Sequence, residues 1–226
     1  MAPVLDRLVH FDDHSLDYPV RPLLAAKQPR SYTWRHYVTD QGNQGACVGH
    51  AVTQEAAARP KPAFGDPVRN RADQASLETV ARATYARAQQ FDQWEGAEPT
   101  YSGTSVLAGM KAGQEQGWWG EYRWALGPGP EAAANDVILA LGYQGPVVMG
   151  TMWRSGMWRP DADGYLRATG AVEGGHAYLL VSYSRRRDAV LTPNSWGGEG
   201  SGWITRADLV SLLADDGEAA IPVVRR

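Results

Sequence analysis

The chain of 226 residues holds a single cysteine, Cys47, so it can form no internal disulfide. It has no apolar run of membrane-spanning length. Its first twenty residues, MAPVLDRLVHFDDHSLDYPV, carry acids and no sustained apolar core, so they are not read as a secretory signal. The expected setting is therefore cytoplasmic or virion-associated. Basic residues are also too few to form a stripe. The net charge is -3, and the one dense basic run, Arg185–Arg187, sits between apolar stretches like a solvated hairpin tip. Neither nucleic acid nor membrane is expected as a partner. Five scattered histidines and one cysteine lack ligand spacing, so no metal and no other cofactor is expected. GGEGSG lacks the lysine and helix of a phosphate loop and reads as a turn.

What is present is segregated. Residues 1–40, proline-rich and aperiodic, read as an arm wrapping a body, with a short strand near Ser31–Trp34. A glycine-rich loop then feeds a helix of about three turns beginning at Cys47. Residues 60–72 read as a loop. SLETVARATYARAQQ reads as a helix capped by Ser76, and SVLAGMKAGQEQG as one capped by Thr104 or Ser105 and ending at Gly117. GPGPEAAANDVILALGYQG gives a further loop and helix. After Pro146 come the strand candidates PVVMGTMW, GYLRAT, HAYLLVSY, DAVLTPNSW and GWIT, then the short helix ADLVSLLADDG and a last strand, AAIPVV. A helical front half and a β back half argue α+β with two lobes, about 41–120 and 121–226 in one domain.

A thiol attacks as thiolate, and a helix N-terminus or a neighbouring imidazolium favours that form. Cys47 stands at a helix start. On the residues alone, a lone cysteine is as readily a small core residue. His176 begins an apolar strand after two glycines, and a strand-end cap is its bland reading. His50, three residues beyond Cys47, points into helix packing, and His10 and His14 read as solvated. Asn194 opens NSWGG. A neutral amide there would orient an imidazole without adding charge, with Trp196 shielding the bond, although NSWGG alone also reads as a turn. The acids Asp12, Asp13, Asp215 and Asp216 read as surface.

QGNQGAC, GGHA and NSWGG, in the order Gln/Cys, His, Asn, resemble the papain family of cysteine peptidases over most of residues 30–226. Gln41 precedes Cys47 by six positions, as the family's oxyanion glutamine precedes its nucleophile. SYTWRHYVTDQG and GPVVMGT are similar to flanking family tracts. The resemblance implies a helical lobe and a β-barrel-like lobe with a cleft between. It also implies a Cys47–His176–Asn194 triad holding a thiolate–imidazolium pair, with Gln41 as oxyanion donor. Gly103 and Thr104, in YSGTS, would form the wall that binds substrate backbone. Val48 replaces the usual Trp, and Gly175 precedes the histidine where Asp or Asn is common. Compact bacterial or phage members look most similar.

The implied function is hydrolysis of peptide bonds in a peptide or protein substrate. The same triad could act on other amides, by deamidation, isopeptide cleavage or cell-wall peptide hydrolysis. A third reading keeps the scaffold for binding within a larger assembly, with Trp118, Trp119, Trp153 and Trp158 forming its surface if exposed.

Overall fold

A computed structural model describes residues 4–58 and 71–225. Five α-helices are described: α1 (Cys47–Ala57), α2 (Arg71–Ala88), α3 (Val106–Glu115), α4 (Pro130–Tyr143) and α5 (Arg206–Ala214). Eight strands accompany them: β1 (Tyr32–Thr33), β2 (Trp119–Trp124), β3 (Val147–Arg154), β4 (Val172–Leu180), β5 (Ser182–Ser184), β6 (Ala189–Thr192), β7 (Gly202–Thr205) and β8 (Glu218–Arg225). The strands form two four-stranded antiparallel sheets, β1-β5-β6-β7 and β2-β8-β3-β4. The class is α+β.

Most of β3 and the second half of β4 are buried on both faces, which is why PVVMGTMW and HAYLL read as nearly unbroken apolar runs. Alternation along a strand sends successive side chains to opposite faces. Met149, Tyr178, Leu180 and Ile221 enter a core shared with α4 and α5, while Val148, Ala177, Leu179 and Ala220 enter a core shared with α1 and α3. Every side chain of α1 is buried, so this alanine-rich helix is a central strut rather than an amphipathic surface helix. Ser105 caps α3, accepting from the Ala108 N–H, and α4 starts on Pro130, whose fixed φ suits a first helical position.

Several elements depart from the sequence expectation. Helix α2 starts at Arg71 rather than after Ser76, because Arg, Ala and Gln are strong helix formers and extend it backwards. Within the loop expected at 60–72, residues 60–70 lie outside the described residues. WGEYRW forms β2, an unexpected strand whose alternation is broken by register shifts on either side of Glu121. GYLRAT makes one isolated bridge, Tyr165 to Trp203, and no ladder, its backbone being spent on loop hydrogen bonds. Strand β4 begins at Val172, so His176 lies inside it rather than at its mouth.

The arm is not purely extended. It carries two short 3-10 turns, Asp13–Asp17 and Arg21–Leu24. Asp12, expected on the surface, caps the first turn through Ser15. Asp215 pairs with Arg154. His10 is half-buried against Trp94 rather than solvated. Arg185–Arg187 forms the turn between β5 and β6.

Candidate active site

Cys47 occupies the first position of α1, whose N-cap, Ala46, supplies no side-chain hydrogen bond, and its thiol is fully buried. Backbone N–H groups of Ala177, Asp6 and Val48 point at the sulfur. Cys47 is thereby set against the residue that follows His176, and contact between α1 and β4 holds the two there.

His176 is also fully buried. Its Nε2 lies 2.9 Å from Asn194 Oδ1. The Asn194 amide is oriented independently: Oδ1 accepts from the Ser195 N–H at 2.8 Å and Nδ2 donates to the Gly200 carbonyl at 3.1 Å. An oxygen therefore faces the imidazole, so Nε2 carries the proton and Nδ1 keeps its lone pair. Nδ1 has no hydrogen-bond partner among the described residues. Trp196 stacks on the ring at 4.7 Å, and Trp153 meets it edge-on at 4.9 Å. The asparagine–histidine bond lies under this aromatic cover, where water cannot compete for it.

The Gln41 amide is fixed from both ends. Its Oε1 accepts from the Ser195 hydroxyl at 2.7 Å, and its Nε2 donates to the carbonyls of Gln44 and Val4, each at 3.0 Å. Ser195 thus links the orientation of Gln41 to that of Asn194. Gln54, buried in α1, donates to the Asn194 carbonyl at 2.9 Å and to Thr39 at 3.1 Å. His50 is buried beside them, its Nδ1 2.8 Å from Thr39 Oγ1, and burial with nearby Arg82 holds it down at about 3. It belongs to the packing of α1, as its helical position suggested.

The cleft is occupied by the chain itself. The Arg7 N–H donates to the Gly175 carbonyl at 2.8 Å and the Leu8 N–H to the Thr104 carbonyl at 3.0 Å, so the arm bridges both walls. The walls are shaped for this approach. A Cβ on Gly175 would stand 2.1 Å from the Arg7 carbonyl oxygen, and one on Gly103, at φ +89°, would stand 1.8 Å from that of Asp6. Gly103 and Thr104 lie against the backbone of the chain's own arm. Ser102 donates to the Asp6 carboxylate beside them.

Burial under the arm sets the protonation state. It pushes the Cys47 thiol up to about 11, helped by the Asp6 carboxylate and opposed by the three N–H groups. Burial likewise pulls His176 down to about 4, against the pull of Asn194. Both shifts favour neutral thiol and neutral imidazole over the ion pair that the resemblance implies. The physical cause is exclusion of water from both groups at once.

Sequence reasoning singled out Cys47, His176, Asn194, Gln41, Gly103, Thr104 and Trp196, and all line this one region. It missed Ser195, although that residue stands inside NSWGG, and Gln54, for which α1 carries no local signal. The four tryptophans considered as an exposed surface are not exposed: Trp118, Trp119 and Trp153 are buried and Trp158 partly so. Among the described residues no helix is long and apolar enough to cross a membrane, and no metal-binding group of acids, histidines or cysteines gathers.

No family model and no curated protein sequence matches the chain. Solved structures do. Xylellain, a cysteine protease from Xylella fastidiosa, superposes with a TM-score of 0.59 at 16% identity, over 98% of this chain and 96% of that one. Digestive procathepsin L 3 of Tenebrio molitor larval midgut gives 0.57 at 14% identity, over 88% of this chain and 72% of that one. The bromelain protease from Ananas comosus, in complex with the E64 inhibitor, gives 0.56 at 11%, over 88% and 100%. The chain has the fold of papain-like cysteine proteases.

Proposed function

We propose that this chain is a cysteine peptidase that cleaves peptide bonds through Cys47, His176 and Asn194, with Gln41 stabilising the oxyanion. One observation carries the reading. A stretch of peptide already lies along the cleft, hydrogen-bonded to both walls, with a carbonyl, that of Val4, on the Gln41 amide. A site that holds extended backbone and offers a donor to its carbonyl is built for acyl transfer at a peptide.

When substrate replaces the arm, water re-enters and the thiol can pass its proton to His176 Nδ1. The thiolate adds to the carbonyl carbon, and the oxyanion takes the place of Val4 O on Gln41 Nε2. Collapse forms a thioester while the imidazolium protonates the departing amine. A water molecule, deprotonated by the same imidazole, then releases the acid and restores the thiol. Asn194 keeps the ring in the one tautomer that can do this. The covered, neutral pair described above is the resting form.

The test compares the full chain, a Gly175→Ala chain whose added methyl displaces the arm, and a Cys47→Ala chain against a peptide library read by mass spectrometry. Cleavage by the first two, stronger in the second, and none by the third is the expected result. Persistent cleavage by the Cys47→Ala protein would remove the assignment.

A further inference from the structure

Asn194 sits in the loop between β6 and β7 with a left-handed backbone, at φ +53°. Asparagine is one of the few residues other than glycine that visits this region, and it needs neighbours to hold it there. Its N–H donates to Thr192 Oγ1 at 3.1 Å. Its carbonyl accepts from Gln54 Nε2 of α1 at 2.9 Å. Gln54 is fully buried and stands seven residues after Cys47. Seven residues are close to two helical turns, so one face of α1 carries the thiol at its start and this amide about 10 Å further on.

The Asn194 carbonyl and the Ser195 N–H belong to one planar peptide, so fixing the first fixes the second. That N–H is the donor to Asn194 Oδ1 at 2.8 Å, and Oδ1 is the atom 2.9 Å from His176 Nε2. A continuous path thus runs from the nucleophile's helix to the imidazole, through the Gln54 amide, the 194–195 peptide and the Asn194 side chain. Were the peptide to rotate, Oδ1 would lose this donor, and only the 3.1 Å bond from Nδ2 to the Gly200 carbonyl would still orient the side chain. An amide turned round would set Nδ2 against the ring. The imidazole would then carry its proton on Nδ1 and lose the lone pair that must take the thiol proton.

The remaining contacts of Gln54 suit such a task. Its Nε2 also donates to Thr39 Oγ1 at 3.1 Å, so both amide hydrogens are committed. Its Oε1 is buried with no hydrogen-bond partner among the described residues. A leucine would pack here without that orphan, so an amide at this position calls for a reason beyond packing.

We propose that Gln54 is a positioning residue for the triad, setting the 194–195 peptide so that His176 keeps its proton on Nε2 and its lone pair on Nδ1. The proposal rests on the peptidase reading and adds to it a residue from the helical lobe. Gln54 touches neither substrate nor the reacting atoms and acts through Asn194.

The test reads the tautomer as well as turnover. Nitrogen–proton NMR of full-length, histidine-labelled chains at pH 7 distinguishes the two tautomers, and a His176→Asn chain identifies the His176 signals by their loss. The parent should carry its proton on Nε2. Gln54→Met, which keeps the length of the side chain and loses both donors, should show the Nδ1–H form or a mixture. On the arm-displaced Gly175→Ala background, Gln54→Met should lower kcat at least about tenfold with KM within about twofold, the mark of a group that serves the transition state. Gln54→Leu repeats both readings in case the methionine chain folds poorly. A parent ring protonated on Nδ1 overturns the proposal. So does an unchanged tautomer in the variants, whether kcat or only the melting temperature falls, and so does a changed tautomer with undiminished kcat. A changed tautomer in chains that cleave no peptide, the Gly175→Ala parent included, would uphold the positioning and sink the peptidase reading.

Discussion

The covered state makes a quantitative demand on Gly175→Ala. A methyl at this position would lie 2.1 Å from the Arg7 carbonyl oxygen, far inside contact, and the obstacle is backbone that no rotamer change can move. The arm must lift, losing the 2.8 Å bond from Arg7 to Gly175. With the thiol held at about 11, roughly one molecule in ten thousand is thiolate at pH 7. Return to the ordinary value of 9.0 raises that share about a hundredfold, and a rehydrated imidazolium beside the helix N-terminus raises it further. Alkylation by iodoacetamide at pH 7, followed by mass spectrometry at Cys47, should therefore run at least about a hundredfold faster in the Gly175→Ala chain. Labelling of a folded Gly175→Ala protein at the wild-type rate would refute the reasoning, because the arm would then not control the thiol.

Other outcomes follow from the same geometry. Gln41→Ala should lower kcat a few hundredfold, about 3 kcal/mol of transition-state stabilisation, with little change in KM, and steady-state kinetics on the arm-displaced chain would show it. The buried imidazoles predict acid sensitivity. His50 and His176 are held down at about 3 and 4 from an ordinary 6.5, so the unfolded chain takes up their protons first. Their contribution is complete above pH 6.5 and is lost as pH falls, down to about 4 for His176 and about 3 for His50, roughly 5 kcal/mol in all for His50. His50→Gln should flatten the decline of melting temperature across that window, and an unchanged slope would count against burial as the cause. The same variant, its arm displaced, should still cleave peptide, since His50 serves packing. A loss of turnover matching that of a His176→Ala chain would make His50 the base instead.

Local pattern carried much of this molecule. The glycine-rich turn into an alanine-rich run placed α1 and Cys47 at its start. Apolar runs bounded by Pro, Gly and Asp placed β3, β6 and β7. Three short motifs in order resembled a peptidase fold across residues spread over most of the chain. These are properties of neighbours in sequence, where periodicity, capping and turn chemistry act. WGEYRW escaped because its bulge breaks alternation, and GYLRAT misled because β-like composition does not provide a pairing partner.

What tertiary structure alone decided is the state of the site. Nothing in VLDRLV marks it as the occupant of the cleft, and nothing local to Glu218 marks it as the partner of Arg7. Arg7 and Glu218 are separated by 211 positions, and only the fold brings their charges into one water-free space. The same is true of protonation. Sequence named the thiol and the imidazole, but the direction of their titration depends on how much water reaches them, and the arm lying over the cleft sets that.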